Sequence, residues 1–98
     1  MALQFEWDPD KSAANEKKHK VSFDEATTVF ADPLSVTTFD PRHSDDEDRF
    51  VIVGMSSNGR LVVVSFTDRE NRIRIISARV ATRRERKQYE EGNETQDE

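Results

Sequence analysis

The chain has 98 residues, 34% hydrophobic and 36% charged, with a formal net charge of −5, two histidines and no cysteine. That length supports one hydrophobic core, and the missing cysteines exclude a disulfide scaffold, thiol catalysis and cysteine-bound zinc. No apolar run approaches the roughly 18 residues of a membrane span or resembles a signal peptide, so a soluble cytoplasmic protein that meets no membrane is expected.

Leu3, Phe5 and Trp7 alternate with Gln4, Glu6 and Asp8, predicting a strand over Leu3–Trp7 with one apolar and one acidic face. Asp8-Pro9 reads as an N-cap followed by proline at the first helical position, opening a helix to about Lys20. Ala13 and Ala14 are its only apolar residues, so its core face is thin. Ser22-x-x-Glu25 is a capping box, with Val21 placed to staple onto Ala26. Phe23, Ala26, Thr27 and Phe30 then share one face of a second helix, which Asp32-Pro33 stops.

Leu34–Phe39 is β-prone but short. Arg49–Met55 and Arg60–Thr67 flank Ser56-Ser57-Asn58-Gly59, whose Asn-Gly signals a hairpin. Leu61–Val64 lacks alternation, which fits a central strand covered on both faces. A turn over Asp68–Asn71 leads into the strand Arg72–Arg79. Thr82-x-x-Glu85 is another capping box, opening a helix from about Arg83 to Glu91 that Gly92 ends. The expected fold is α+β: a mostly antiparallel sheet of about four strands with two N-terminal helices and one C-terminal helix. Residues 1–91 form the single domain, and the acidic tail 92–98 is expected to be disordered for want of apolar residues. The loop Asp45–Asp48 is expected to be solvated surface.

The net charge averages three unlike blocks. Residues 1–59 hold 12 acids and 6 bases. Residues 60–87 hold 9 bases against Asp68, Glu70 and Glu85, and residues 88–98 carry 5 acids and no base. An anionic partner is therefore expected at the basic block.

In the last strand, period two places Arg72 and Arg74 on one face and Ile73, Ile75, Ser77 and Arg79 on the other. If the isoleucines face the core, Arg79 sits fixed and partly desolvated at the strand's end. It then either holds a phosphate bidentately or pairs with a carboxylate near the last helix, such as Glu85; spacing leaves both open. Lys11, Asn15, Lys18 and His19 share one face of the first helix, which is either merely solvated or able to bind an anion and shuttle a proton. Glu6 offers a base beside it, whereas Asp8 is engaged in capping. His19 and His43 lack metal-ligand spacing and no phosphate-binding glycine loop occurs, so neither metal nor cofactor is expected. His43 suits a loop hydrogen bond.

Phe5-Glu6-Trp7-Asp8-Pro9 with Lys11, Asn15, Lys18-His19, Val21-Ser22-Phe23 and Phe30-x-Asp32-Pro33 forms an ordered series. It continues through Asp40-x-x-His43-Ser44, Glu47-x-Arg49, Gly59-Arg60-Leu61-Val62-Val63-Val64 and Arg74-Ile75-Ile76-Ser77-Ala78-Arg79-x-Ala81-Thr82-x-x-Glu85-Arg86-x-x-Tyr89-Glu90. Over Leu3–Glu90 the chain resembles the BrnT family. The resemblance implies a RelE-like ribonuclease toxin of a type II toxin–antitoxin pair, cutting RNA without metal and inhibiting translation. It further implies a BrnA-like ribbon-helix-helix antitoxin, a toxin–antitoxin heterotetramer, and operator DNA bound only through the antitoxin.

Such cleavage needs a base for the 2′-hydroxyl, donors for the phosphorane and an acid for the leaving 5′-oxygen. The residues available assign Arg79 and Arg60 to the phosphate, His19 or Glu6 as base, and Lys11 or Lys18 as electrostatic help or acid. Arg72, Arg74, Arg83, Arg86 and Lys87 are left to contact RNA. The competing reading is a non-catalytic module docking RNA or an acidic protein through its arginine-rich strand and helix. A DNA regulator acting alone is disfavoured, since no helix-turn-helix pair is evident.

Overall fold

The computed structural model describes residues 3–43 and 47–95. Its elements are β1 (Gln4–Glu6), α1 (Pro9–His19), α2 (Phe23–Val29), β2 (Val36–Asp40), β3 (Arg49–Met55), β4 (Leu61–Arg69), β5 (Arg72–Val80) and α3 (Arg83–Thr95), with a 3₁₀ turn at Pro41–His43. The sheet has five strands in the order β1-β5-β4-β3-β2. Two expectations change here. The short segment after Pro33 does form an edge strand, and β1 runs parallel to β5, so the sheet is mixed. A parallel pair needs a long crossover, and everything between β1 and β5 supplies it.

Local caps form as the spacing dictates. The Asp8 carboxylate accepts from the Asp10 N–H at 2.8 Å, and Lys20 ends α1 in the left-handed conformation at φ 62°. Ser22 Oγ accepts from the Glu25 N–H at 3.0 Å, but the Glu25 carboxylate is spent elsewhere, leaving that capping box half closed. The β3–β4 turn carries Gly59 at φ 76°, where a side chain would be strained. Helix α3 runs through Gly92 to Thr95 instead of stopping, because Gly92 keeps a right-handed backbone. Residues 92–95 of the expected tail are therefore helical; residues 96–98, and residues 44–46, which include Asp45 and Asp46 of the acidic loop, lie outside the described residues.

Helices α1 and α2 cover one face of the sheet. Val21, Phe23, Ala26 and Val29 bury against Ile52, Val62, Val64, Phe66, Ile75 and Ala78. An edge-on and stacked series, Phe5–Phe30–Phe66–Phe50–Phe39, crosses this face with ring centres 5.0–5.8 Å apart. Leu61–Val64 are all buried, as a central strand requires. Asn15 is buried in α1, donating to the carbonyls of Val21 (2.9 Å) and Ala78 (2.8 Å) and accepting from the Ala78 N–H (3.2 Å). It clamps α1 to β5.

The face parity of β5 differs from a simple period of two. Register pairs Ser65 with Ser77 but Phe66 with Ile75, leaving Ile76 as the extra residue of a β-bulge. A bulge shifts every later side chain to the opposite face. Ala78 therefore joins the core with Ile73 and Ile75, while Ser77 and Arg79 move to the face of Arg72 and Arg74.

That second face is open except where α3 crosses one end. Tyr89 of α3 donates to Asp32 Oδ2 at 2.7 Å, and the same oxygen accepts from the Met55 N–H at 2.8 Å. Burial, and then the bond to Asp32, push the Tyr89 phenol up to about 12. Burial alone would raise the Asp32 carboxyl, but the Met55, Leu34 and Tyr89 donors outweigh it and hold it below its usual value. Among the described residues no helix is long and apolar enough to cross a membrane.

Candidate nucleic-acid interface

Strand register lays the open face out in rows. Val36, Val53, Val63 and Arg79 form the row at the α3 end. Next come Thr38, Val51, Ser65 and Ser77, a floor carrying three hydroxyls. Beyond it, Asp40, Arg49, Thr67, Arg74 and Glu6 span all five strands. Arg69, Arg72 and Gln4 make the outermost row. A groove of about 400 Å³ runs over the hydroxyl floor, bounded by Arg42 and Asp40 on one side and by Arg79 and Glu85 on the other.

Charged pairs organise this face. Arg79 donates through Nη1 and Nη2 to Glu85 Oε1 (2.7 Å) and Oε2 (2.8 Å). Glu85 also accepts from the Thr82 N–H at 2.9 Å, and its own N–H donates to Thr82 Oγ1 at 3.2 Å, closing the capping box of α3. The Arg79 hydrogen bonds, against some cost of burial and with help from Thr82, hold the Glu85 carboxyl at about 2. Arg74 donates to Glu6 at 2.8 Å, with both side chains less than a third exposed. Arg69 pairs with Glu47 through Nε (2.7 Å) and Nη2 (2.6 Å), which lowers the Glu47 carboxyl. The Thr67 hydroxyl is buried in the five-strand row without a hydrogen-bond partner among the described residues.

The expected catalytic and RNA-contacting residues do not converge on one place. Glu6, Arg79, Arg72 and Arg74 lie on the open face. Arg60 does not: its guanidinium pairs with Glu25, reached also by Nε at 3.0 Å, and Nη2 donates to the Lys20 carbonyl at 2.9 Å. Ser56 Oγ completes the cluster at 2.7 Å from Glu25 Oε2. Arg60 thereby ties the β3–β4 turn to α2, and its hydrogen bonds, outweighing burial, hold the Glu25 carboxyl below its usual value. Lys11 and Lys18 are exposed and His19 half-buried on α1, across the sheet from Arg79; Asn15, expected beside them, is turned inward. Arg83, Arg86 and Lys87 are exposed on α3, with Lys87 3.9 Å from Glu91.

Thr38 and Ser65 join the face without any motif in the sequence to mark them as site residues. The available signal was Ser65 and Thr67 alternating with Val64 and Phe66 in an otherwise apolar strand, which puts hydroxyls on a single face. Among the described residues no three His, Asp or Glu side chains gather as metal ligands.

Comparison with known proteins gives a fold and a family description. Residues 7–85 match the family model described as "Ribonuclease toxin, BrnT, of type II toxin-antitoxin system". No curated protein matches the sequence. Among solved structures, the Brucella abortus ribonuclease toxin BrnT superposes with a TM-score of 0.61 at 20% identity, covering 84% of this chain and 100% of the other.

Proposed function

The chain belongs to the BrnT family of ribonuclease toxins of type II toxin–antitoxin systems, and from that premise we propose that it cleaves RNA on the open face of its sheet. The observation carrying this reading is the hydroxyl floor of Thr38, Ser65 and Ser77, set between Arg79 on one side and the Arg74–Glu6 pair on the other. Arg74 and Arg79 pair with Thr67 and Val63, four residues apart on β4, so despite the bulge they stand roughly 13 Å apart at about 3.3 Å per residue and serve different phosphates of one strand. Glu6 takes the proton of the 2′-hydroxyl, whose oxygen attacks the adjacent phosphorus. Arg74 steadies the charge gathering on the phosphorane, and the departing 5′-oxygen takes its proton at the solvent-open mouth. Dependence on the 2′-hydroxyl restricts the reaction to RNA. No residue of this scheme calls for a metal ion.

The same reading takes in a RelE-like fold, action in the cytoplasm on translation, and a BrnA-like ribbon-helix-helix antitoxin in a heterotetramer that alone meets operator DNA. Exposed Arg72, Arg83 and Arg86 around the open face draw the acidic groups of that antitoxin, which silences the toxin by covering the groove. One observation favours the non-catalytic alternative: Arg69, Arg74 and Arg79 are each already paired with a carboxylate of this chain.

Purified protein incubated with RNA in the presence of a chelator separates the two. The proposal expects 2′,3′-cyclic phosphate ends from the parent and strong loss in Glu6→Gln and Arg74→Ala. RNA retained without cleavage would favour the binding module, and unchanged cleavage by folded variants would overturn the assignment.

A further inference from the structure

The arginine–carboxylate pairs are not alike in which edge of the guanidinium they use. Arginine has five N–H donors arranged as an end-on pair, Nη1 with Nη2, and a side-on pair, Nε with Nη2. Arg60 and Arg69 spend the side-on pair on Glu25 and Glu47. Arg79 spends the end-on pair on Glu85, and its Nη1 also lies 3.5 Å from the Val80 carbonyl. Its Nε–H has no partner among the described residues, so Nε and the outer Nη2 hydrogen remain as a parallel pair. That is the fork that matches two non-bridging oxygens of a phosphate. Arg79 lines the groove, so the fork is available where a phosphodiester backbone would pass.

We propose that Glu85 is a positioning residue for substrate: its carboxylate, held by the backbone N–H of Thr82, keeps Arg79 end-on and presents the Nε–Nη2 edge to an RNA phosphate. This rests on the reading of the open face as the RNA site, and adds to it a residue that touches no substrate. The opposing effect is plain charge, since a carboxylate beside the groove repels an anion. The positioning effect wins because a free arginine side chain loses rotamer entropy on binding, and Glu85 removes that cost before the ligand arrives. The two effects predict opposite signs for the neutral variant. Gln still closes a capping box, so Glu85→Gln leaves α3 formed while removing the charged grip on Arg79.

The test measures affinity for a short RNA analogue with 2′-deoxy sugars, which binds without being cut, together with kcat and KM on cleavable RNA. Glu85→Gln is expected to weaken analogue binding and raise KM about tenfold, the loss of one charge-assisted contact, with kcat changed far less. Thr82→Ala, which breaks the cap but keeps the Arg79–Glu85 pair, is expected to lower thermal stability and leave affinity near that of the parent. Unchanged or tighter binding by Glu85→Gln overturns the proposal, as does an equal loss in Thr82→Ala. Failure of the parent to cleave RNA would sink the ribonuclease scheme instead, and the analogue affinities would still decide the role of Glu85.

Discussion

Arg60 and Arg79 both suggested phosphate ligands from their sequence contexts, and both are paired with a glutamate, yet the pairs do different work. Glu25 has a side chain only 6% exposed and accepts from Arg60 and Ser56 at the junction of α2 with the β3–β4 turn. Arg60 adds a bond to the Lys20 carbonyl at the end of α1, so three segments meet on one guanidinium. Arg79 is 43% exposed, its partner Glu85 26%, and the pair flanks a groove floored with hydroxyls. A guanidinium used on its side-on edge against a buried carboxylate is a fastener. One gripped end-on at the rim of an open groove keeps its phosphate-binding edge outward.

Arg79→Ala separates the two arginines most clearly. We expect kcat/KM on RNA to fall about 10–10²-fold, mainly through KM, as for loss of a charge-assisted contact to a phosphate. Its urea unfolding free energy should fall by only about 1–2 kcal/mol, since the pair is partly exposed and screened by solvent. Arg60→Ala reverses the pattern: it leaves Glu25 buried without its cation. Losing one partner of a fully buried pair costs about 3–5 kcal/mol, and partial exposure of Arg60 reduces this to about 2–3 kcal/mol. Activity of the folded fraction should stay near that of the parent.

Acid sharpens the same contrast. Both glutamates have carboxyls lowered on folding, Glu85 to about 2 from an ordinary 4.5. Such a group contributes its full stability above the unfolded value and loses it as pH falls through the folded one. The urea midpoint should therefore hold steady above about pH 5 and decline between about pH 4.5 and 2, more gently in Glu85→Gln. Smallest of all are Lys11→Ala, Lys18→Ala and His19→Ala, which lie across the sheet from the groove. Each should change kcat/KM by no more than about twofold, the range of ordinary surface substitutions.

Sequence carried the local part of this account well. Asp8, Ser22 and Thr82 cap their helices because a cap and the N–H it serves lie within three residues of each other. The Arg79–Glu85 pair, six residues apart, was visible as one of two alternatives. Arg60–Glu25 and Arg74–Glu6 were not, since 35 and 68 residues separate the partners and only the fold brings them together. The bulge at Ile76 was hidden for a related reason. It exists in the register between β4 and β5, and period-two reading of β5 alone sends Arg79 to the wrong face. Helical spacing alone groups Lys11, Asn15, Lys18 and His19, but Asn15 meeting the Ala78 backbone takes it out of that cluster and sets which side of α1 is buried.

Where RNA lies on the molecule is read by titrating the isotope-labelled protein with the uncleavable 2′-deoxy analogue and following its backbone amides by NMR. RNA bound on the open face gives shifts concentrated at Thr38, Ser65, Ser77, Arg74 and Arg79, with the amides of α1 undisturbed. Shifts centred on Lys11, Lys18 and His19, with the β4 and β5 amides unmoved, would contradict it.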